Sequence, residues 1–232
     1  MINETPGVQQ LAEKLWYIPN FLTKEEVDKF NKILENKTNE SLAHPFDVAD
    51  HGIINEVPEL FEVWEKLSDV LYPTHVMHPQ LQILHFKEGG SMQPHWDSPG
   101  EGHHDDLTLP DRWSTCCVLD YGVCVYFGDF TGGEVYYPKL ELEVVVEPGD
   151  LVIHGALQDY EHGVNTVTSG TRYTYSNFAL KAEKNPGTFP NYKTEEYQAC
   201  TMTPEDRKNV WSVPKFNDPV TSGYPEAVDR YL

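Results

Sequence analysis

The chain has 232 residues, enough for one all-β domain with additions or for two small domains, and enough to bury a substantial core. Its 17 Lys plus Arg stand against 37 Asp plus Glu, a formal charge of −20, and that balance repels phosphate backbones and anionic bilayers rather than recruiting them. With no Lys/Arg-dense run to offset it, neither nucleic acid nor a membrane surface is an expected partner.

In chain order, the start "MINETPGVQQLAEKLW" has no basic segment followed by a continuous apolar run, and no later stretch approaches eighteen uninterrupted apolar residues, so a cytoplasmic protein is expected. The first third then reads as helical. "PNFLTKEEVDKFNKILENK" offers Thr23 and Glu26 as a capping box, followed by Val27, Phe30, Ile33 and Leu34 at helical spacing. "VPELFEVWEKLSDVLYP" places Leu60, Val63, Trp64, Leu67 and Leu71 on one stripe and ends at Pro73. Stripes of this kind are core-facing surfaces, and residues 1–80 are expected to form a helical region packed on the core.

From residue 81 the texture changes to short runs rich in Val, Ile, Tyr, Phe and Cys, separated by Gly, Pro and Asp. The expected strands are "LQILHFK", "STCCVLDYGVCVYFG", "GEVYYPKLELEVVVE", "DLVIHGA" and "RYTYSNFAL", with turns at "TGG", "EPGD" and "TSGT". Many short strands with no long helix among them indicate a sandwich or jelly roll filled by alternate inward-pointing residues, here over residues 81–182. Cys116, Cys117, Cys124 and Cys200 form no Cys-x-x-Cys pair and read as reduced core residues. Residues 183–232 carry many prolines and aromatics, with one short helix expected from Thr203 and Pro204, and read as an extension packed across the same domain.

"GGSMQPHWDSPGEGHHDD" contains His-x-Asp three times, at His95/Asp97, His103/Asp105 and His104/Asp106. A histidine and a carboxylate two residues apart can bind a transition metal, but in an acidic chain with ten histidines the pattern alone carries little weight. His95 differs from the other two because it follows a predicted strand and its turn, whereas His103 and His104 sit in a loop, and a metal ligand needs rigid support. A third ligand is available in "YEHGVNTVTSGTRYTYSNF", where His162 precedes Arg172 by ten residues. A return of the chain through "TSG" would bring Arg172 toward the cavity of His162, where its planar guanidinium could clamp a carboxylate. Two imidazoles and a carboxylate on one side of an ion make a facial triad with three open positions, the arrangement suited to non-heme Fe(II).

The ordered set "LQILHFKEGGSMQPHWD", "VCVYFGDFTGGEVYYP" and "EPGDLVIHGALQDYEHGVNTVTSGTRYTYSNF" resembles the catalytic core of the 2-oxoglutarate and Fe(II)-dependent dioxygenases, in the branch similar to prolyl 4-hydroxylases. The resemblance covers roughly residues 81–180 and implies a double-stranded β-helix, the jelly-roll class reached from the strand texture. It implies His95, Asp97 and His162 as iron ligands, Arg172 as the anchor of the far carboxylate of 2-oxoglutarate, and Tyr126 as a lining residue of the cosubstrate pocket. It also implies O2 as co-reactant and ascorbate as a further candidate. Two positions depart from the branch: Phe86, nine residues before His95, replaces a usual tyrosine, and Arg172 stands where many members carry lysine.

The reaction so implied is hydroxylation of an unactivated C–H bond, with a prolyl residue of an extended peptide as the expected substrate. Trp96, Trp113, Tyr121, Tyr136 and Tyr137 supply aromatics for a polyproline II groove, although sheet packing is the commoner role of such residues. The alternatives are the same chemistry on a free amino acid or small metabolite, and a non-catalytic cupin-like metal-binding jelly roll. A hydrolytic zinc site lacks its His-Glu-x-x-His helix. His154 follows the strand "DLVI" and could approach the site, although a hydrogen-bonded core histidine is the commoner role, and His103, His104, Asp105 and Asp106 read as a solvated acidic loop.

Overall fold

The computed structural model describes residues 2–40, 51–54, 57–71, 74–77, 83–97 and 119–181. The expectations for His103, His104, Asp105, Asp106, Trp113, Cys116, Cys117, Cys200 and the 183–232 extension lie outside these residues.

Twelve strands and two α-helices are assigned among the described residues. The strands are β1 (Gln9–Ala12), β2 (Leu15–Ile18), β3 (His51–Ile54), β4 (His75–Met77), β5 (Ile83–Lys87), β6 (Met92–His95), β7 (Leu119–Gly132), β8 (Val135–Tyr137), β9 (Leu142–Val144), β10 (Leu151–Gly155), β11 (His162–Val164) and β12 (Val167–Lys181). Eight form a large sheet in the order β1-β2-β10-β7-β12-β5-β3, with β4 also pairing β12; the other four form a smaller sheet in the order β6-β11-β8-β9. Every pairing is antiparallel. This is the jelly roll expected from the strand texture.

The pleat sorts the large sheet into two faces, because alternate side chains point to opposite sides. Trp16, Ile18, Val123, Val125, Phe127, Leu151, Ile153, Tyr173 and Tyr175 belong to one apolar core, which they share with the helices α1 (Lys24–Glu40) and α2 (Phe61–Leu71). Leu15, Tyr126 and Val152 belong to a second core with Val135, Tyr137, Val144 and Val146 of the smaller-sheet region. Phe86 joins Val164 and Val167 in a third. The helices therefore cover the outer face and leave the inner face to the cavity between sheets.

The predicted capping box at the start of α1 is formed. Thr23 N–H donates to Glu26 Oε2 at 2.8 Å and Glu26 N–H donates back to Thr23 Oγ1 at 3.3 Å, so two helix-end donors are satisfied reciprocally. Phe30 from the same helix meets Phe127 of β7 edge-on at 5.5 Å. In α2 the predicted stripe is buried at Leu60, just before the helix, and at Val63, Trp64, Leu67 and Leu71.

Two expectations are corrected. The first third is not purely helical, since β1 and β2 form a hairpin whose second strand pairs with β10; "LWYI" alternates between the two cores, a period-2 signal too short to stand out in sequence. "TSGT" is not a turn. Thr168 to Thr171 run inside β12, with a register irregularity between Val167 and Ser169 and with Gly170 at φ +78°. Between β11 and β12 the chain passes from the smaller sheet to the larger at Asn165–Thr166, where Asn165 N–H donates to the Glu134 carbonyl at 2.9 Å.

Candidate functional site

Cross-strand register builds the site. β6 and β11 pair so that His95 and His162 are direct partners, and side chains on opposed positions of an antiparallel pair share one face. Their ring centroids are 4.5 Å apart. Asp97, two residues past His95 at a bend, brings Oδ1 to 3.9 Å from His95 Nε2 and 4.0 Å from His162 Nε2. The ligand atoms of His95, Asp97 and His162 all lie within 4.8 Å of one another. Residues 95, 97 and 162 are thus brought together as the sequence suggested.

The imidazoles are oriented as metal ligands are. His95 Nδ1 lies 3.1 Å from the Gln93 carbonyl and His162 Nδ1 lies 3.0 Å from the Tyr160 carbonyl. A carbonyl can only accept, so each Nδ1 carries the proton and each Nε2 presents its lone pair to the cluster. Burial pushes the His162 pKa down against the opposing pull of Asp97, which keeps the lone pair available. Two imidazole nitrogens and one carboxylate oxygen, without a thiolate, suit Fe(II) among divalent ions. One oxygen of the carboxylate, Asp97 Oδ2, is buried without a hydrogen-bond partner.

Arg172 comes from the inner face of β12, opposite Phe86 of β5 and Gly128 of β7. It is 1 % exposed. Its guanidinium carbon sits 5.0 Å from the Phe86 ring centroid and 4.9 Å from that of Tyr126, so two aromatic rings hold the cation. Nη1 donates to Thr174 Oγ1 at 2.8 Å, while Nε has no partner. Among the described residues no carboxylate lies within ion-pair distance of it. Burial pushes the Arg172 pKa down, with Tyr126 acting in the opposite sense. Glu134 acts on it only from beyond ion-pair distance, and a dry guanidinium with no closer carboxylate among the described residues is prepared for an anion from outside the chain. Phe86 contributes a ring face here, so the departure from tyrosine costs a hydroxyl but retains packing on the anchor. Tyr126 is 1 % exposed and lies beside the guanidinium, where burial raises its pKa.

Glycines make the room. A Cβ at Gly122 of β7 would come within 2.4 Å of Asp97 Oδ2 and 2.6 Å of His154 Nε2, and a Cβ at Gly133 would come within 2.9 Å of Arg172 Cδ. The positive φ of Gly132 and Gly133 confirms them as turn glycines, and Gly133 has the second role of clearing space for the arginine.

His154 is buried, as expected of a core histidine, and it also reaches the site. His154 is 1 % exposed, its Nδ1 has no hydrogen-bond partner, and its ring stands edge-on to His162 at 4.1 Å. Nε2 lies 3.8 Å from Asp97 Oδ2. Tyr137, with an unpartnered buried hydroxyl, is 5.8 Å from the His154 ring and 5.9 Å from that of His162. A signal for His154 was present in sequence: it alternates with Val152 on the inner face of a strand otherwise wholly apolar up to its closing glycine. The aromatic groove also shrinks, because Tyr121 belongs to the helix-side core and Tyr137 is fully buried. Trp96, 40 % exposed with Lys139 Nζ 6.0 Å from its ring, and the half-buried Tyr136 remain.

A jelly roll with a His-Asp-His cluster on the smaller sheet and a buried arginine on the larger is the class of structure these observations define. No family model matches the sequence, and no curated protein is similar to it at the sequence level. Solved structures do share the fold. The viral collagen prolyl hydroxylase from Paramecium Bursaria Chlorella virus-1, in its 2-oxoglutarate complex, is 16 % identical with a TM-score of 0.53 over 73 % of this chain and 97 % of that one. A prolyl hydroxylase from Trichoplax adhaerens, in complex with a hypoxia-inducible factor peptide fragment, is 10 % identical with a TM-score of 0.57 over 75 % and 86 %. A Pseudomonas putida prolyl-4-hydroxylase is 14 % identical with a TM-score of 0.51 over 74 % and 95 %. In fold, the chain resembles the 2-oxoglutarate and Fe(II)-dependent oxygenases of the prolyl hydroxylase type.

Proposed function

We propose that the protein is an Fe(II)- and 2-oxoglutarate-dependent dioxygenase that hydroxylates an unactivated C–H bond, in the first instance on a prolyl residue of an extended peptide. The observation that carries the proposal is the presence of two features in one fold: the three-ligand cluster on the smaller sheet and, on the larger, a buried guanidinium with no carboxylate in ion-pair range among the described residues. A cupin-like metal-binding jelly roll has no use for the second.

His95 Nε2, Asp97 Oδ1 and His162 Nε2 would hold the ion, and their Nδ1 contacts to Gln93 and Tyr160 keep the imidazoles in the binding tautomer. Arg172 would pair with the far carboxylate of 2-oxoglutarate through parallel N–H donors, with Tyr126 and Phe86 excluding water around it. When bound, Fe(II) with 2-oxoglutarate and O2 supplies the oxidising chemistry, converting 2-oxoglutarate to succinate and CO2 while one oxygen atom enters the substrate. The surrounding residues need supply no nucleophile; their work is orientation, charge pairing and a dry cavity.

Peptidyl proline as the substrate is supported by the peptide complex of the Trichoplax fold relative and by Trp96, an exposed ring between two proposed ligands. A polyproline II peptide arrives extended and loses little entropy on docking to an aromatic surface. No helix among the described residues is long and apolar enough to cross a membrane. The test is to reconstitute the protein with Fe(II) anaerobically, admit O2 with 2-oxoglutarate and Pro-rich peptides, and follow succinate together with a one-oxygen mass gain. Coupled formation of both is expected, lost in His95→Ala, Asp97→Ala and His162→Ala. Oxidation of a free amino acid with no peptide product would replace the peptide reading, and no succinate under any condition would remove the oxygenase reading itself.

A further inference from the structure

Three imidazoles surround the Asp97 carboxylate, and they do so unequally. His95 and His162 approach Oδ1, at 3.9 and 4.0 Å, whereas His154 approaches Oδ2, at 3.8 Å. His154 also falls outside the mutually close donor group of His95, Asp97 and His162. It meets the carboxylate through the oxygen that the other two imidazoles do not approach.

Its hydrogen bonding differs from theirs. His95 and His162 each give the Nδ1 proton to a main-chain carbonyl, which frees Nε2 as a lone pair. His154 Nδ1 has no hydrogen-bond partner of good geometry, although the adjacent Gly155 backbone acts on the ring. The acceptor facing Nε2 is Asp97 Oδ2, a buried oxygen without a hydrogen-bond partner, 3.8 Å away. A buried carboxylate oxygen without a partner gains by meeting a donor, since an unmade buried hydrogen bond costs more than a made one contributes. Gly122 lies beneath both atoms, and any side chain there would separate them.

We propose that His154 is a positioning residue for Asp97: its Nε2–H donates to Oδ2 when Oδ1 is engaged by a metal ion, pinning the carboxylate so that Oδ1 faces His95 and His162. The inference rests on the reading of Asp97 as a metal ligand. The required movement is small, since 3.8 Å shortens to hydrogen-bond length by slight rotation of two side chains. Partners in this outer position tune metal affinity roughly 10- to 100-fold and fix ligand direction. His154 thus performs for the carboxylate what the Gln93 and Tyr160 carbonyls perform for the imidazoles.

The experiment uses Co(II) as the probe, titrated anaerobically into the full chain and read by its visible absorption. Wild type, Asp97→Ala, His162→Ala, His154→Phe and His154→Gln are compared, with thermal unfolding of each metal-free protein to verify folding. Glutamine places an amide N–H near the imidazole Nε2 position and phenylalanine does not. The expected result is a loss of affinity of about tenfold or more in His154→Phe together with an altered ligand-field spectrum. His154→Gln is expected to return to within a few-fold of wild type with its spectrum. His154→Phe matching wild type, or His154→Gln as weak as His154→Phe, would overturn the hydrogen-bond role. Loss of binding in His154→Phe as complete as in His162→Ala would make His154 a direct ligand and overturn it equally. Should His154→Phe fail to fold, the glutamine variant decides: wild-type affinity and spectrum support the role, and a tenfold loss refutes it. Absence of Co(II) binding in wild type, or full binding in Asp97→Ala, would remove the metal reading of Asp97 and with it the proposal, an outcome distinct from failure at His154 alone.

Discussion

Arg172 holds a positive charge at 1 % exposure among two aromatic rings, a threonine hydroxyl and no carboxylate in ion-pair range among the described residues. Desolvating a cation without a counter-ion opposes folding, and the natural reason to retain one is the anion it will meet. Opposite effects on stability and binding follow. Arg172→Met is expected to raise the thermal midpoint of the protein without cosubstrate, because an apolar side chain of similar length replaces a dry charge. The same substitution should weaken 2-oxoglutarate binding by about 2–5 kcal/mol, the usual cost of truncating one partner of a buried charge-assisted pair. Arg172→Lys should fall between in binding, since lysine keeps the charge and loses the planar fork. Differential scanning calorimetry with and without 2-oxoglutarate reads both quantities. A stabilised variant that still binds 2-oxoglutarate normally would show that another residue holds the carboxylate.

At the scale of elements, the site depends on how β7 lies under the smaller sheet. β7 presents Gly122, Cys124, Tyr126 and Gly128 on its inner face, so glycine, thiol and phenol alternate with the apolar Val123, Val125 and Phe127 that meet α1 and α2. Burial raises the Cys124 thiol pKa to about 12, so it stays a neutral core group and not a nucleophile. Gly122 is required by space, because an added methyl would contact both Asp97 and His154. Gly122→Ala is therefore expected to reduce Co(II) affinity at least tenfold while leaving the secondary structure by circular dichroism unchanged. Gly128→Ala should do the reverse. Its φ is +101°, and a Cβ added there would collide with the Thr171 carbonyl in the β7–β12 ladder. A destabilisation of about 1–3 kcal/mol in urea unfolding is expected from backbone strain of this kind, with metal affinity per folded molecule retained. If Gly122→Ala instead unfolded the protein and kept the metal, the assignment of roles to the two glycines would be inverted.

At the scale of the whole molecule, the charge of −20 sets the long-range field in which substrate arrives. A basic Pro-rich peptide is expected to show a kcat/KM that falls as salt is raised from about 0.01 to 0.15 M, while a neutral peptide changes little, because the Debye length shortens from roughly 30 to 8 Å over that range. Equal salt dependence for both would mean that the overall field does not steer the substrate. The sequence by itself determined the jelly-roll class and both α-helices, because each depends on local pattern, period-2 runs and a capping box; His95, Asp97, His162 and Arg172 were singled out by the ordered motifs of a family resemblance, and their roles belong to the proposed function. What the sequence did not determine depends on register and on the space between sheets. The β1–β2 hairpin is too short to carry a period. The "TSGT" stretch satisfies turn chemistry and yet runs through β12, since thirteen residue pairs with β7 outweigh the local preference of two small residues and a glycine. The position of His154 beside Asp97, and of Gly122 beneath both, arises where β10, β7 and the bend after β6 converge. Those segments are far apart along the chain, and only the folded sheets bring their inner faces together.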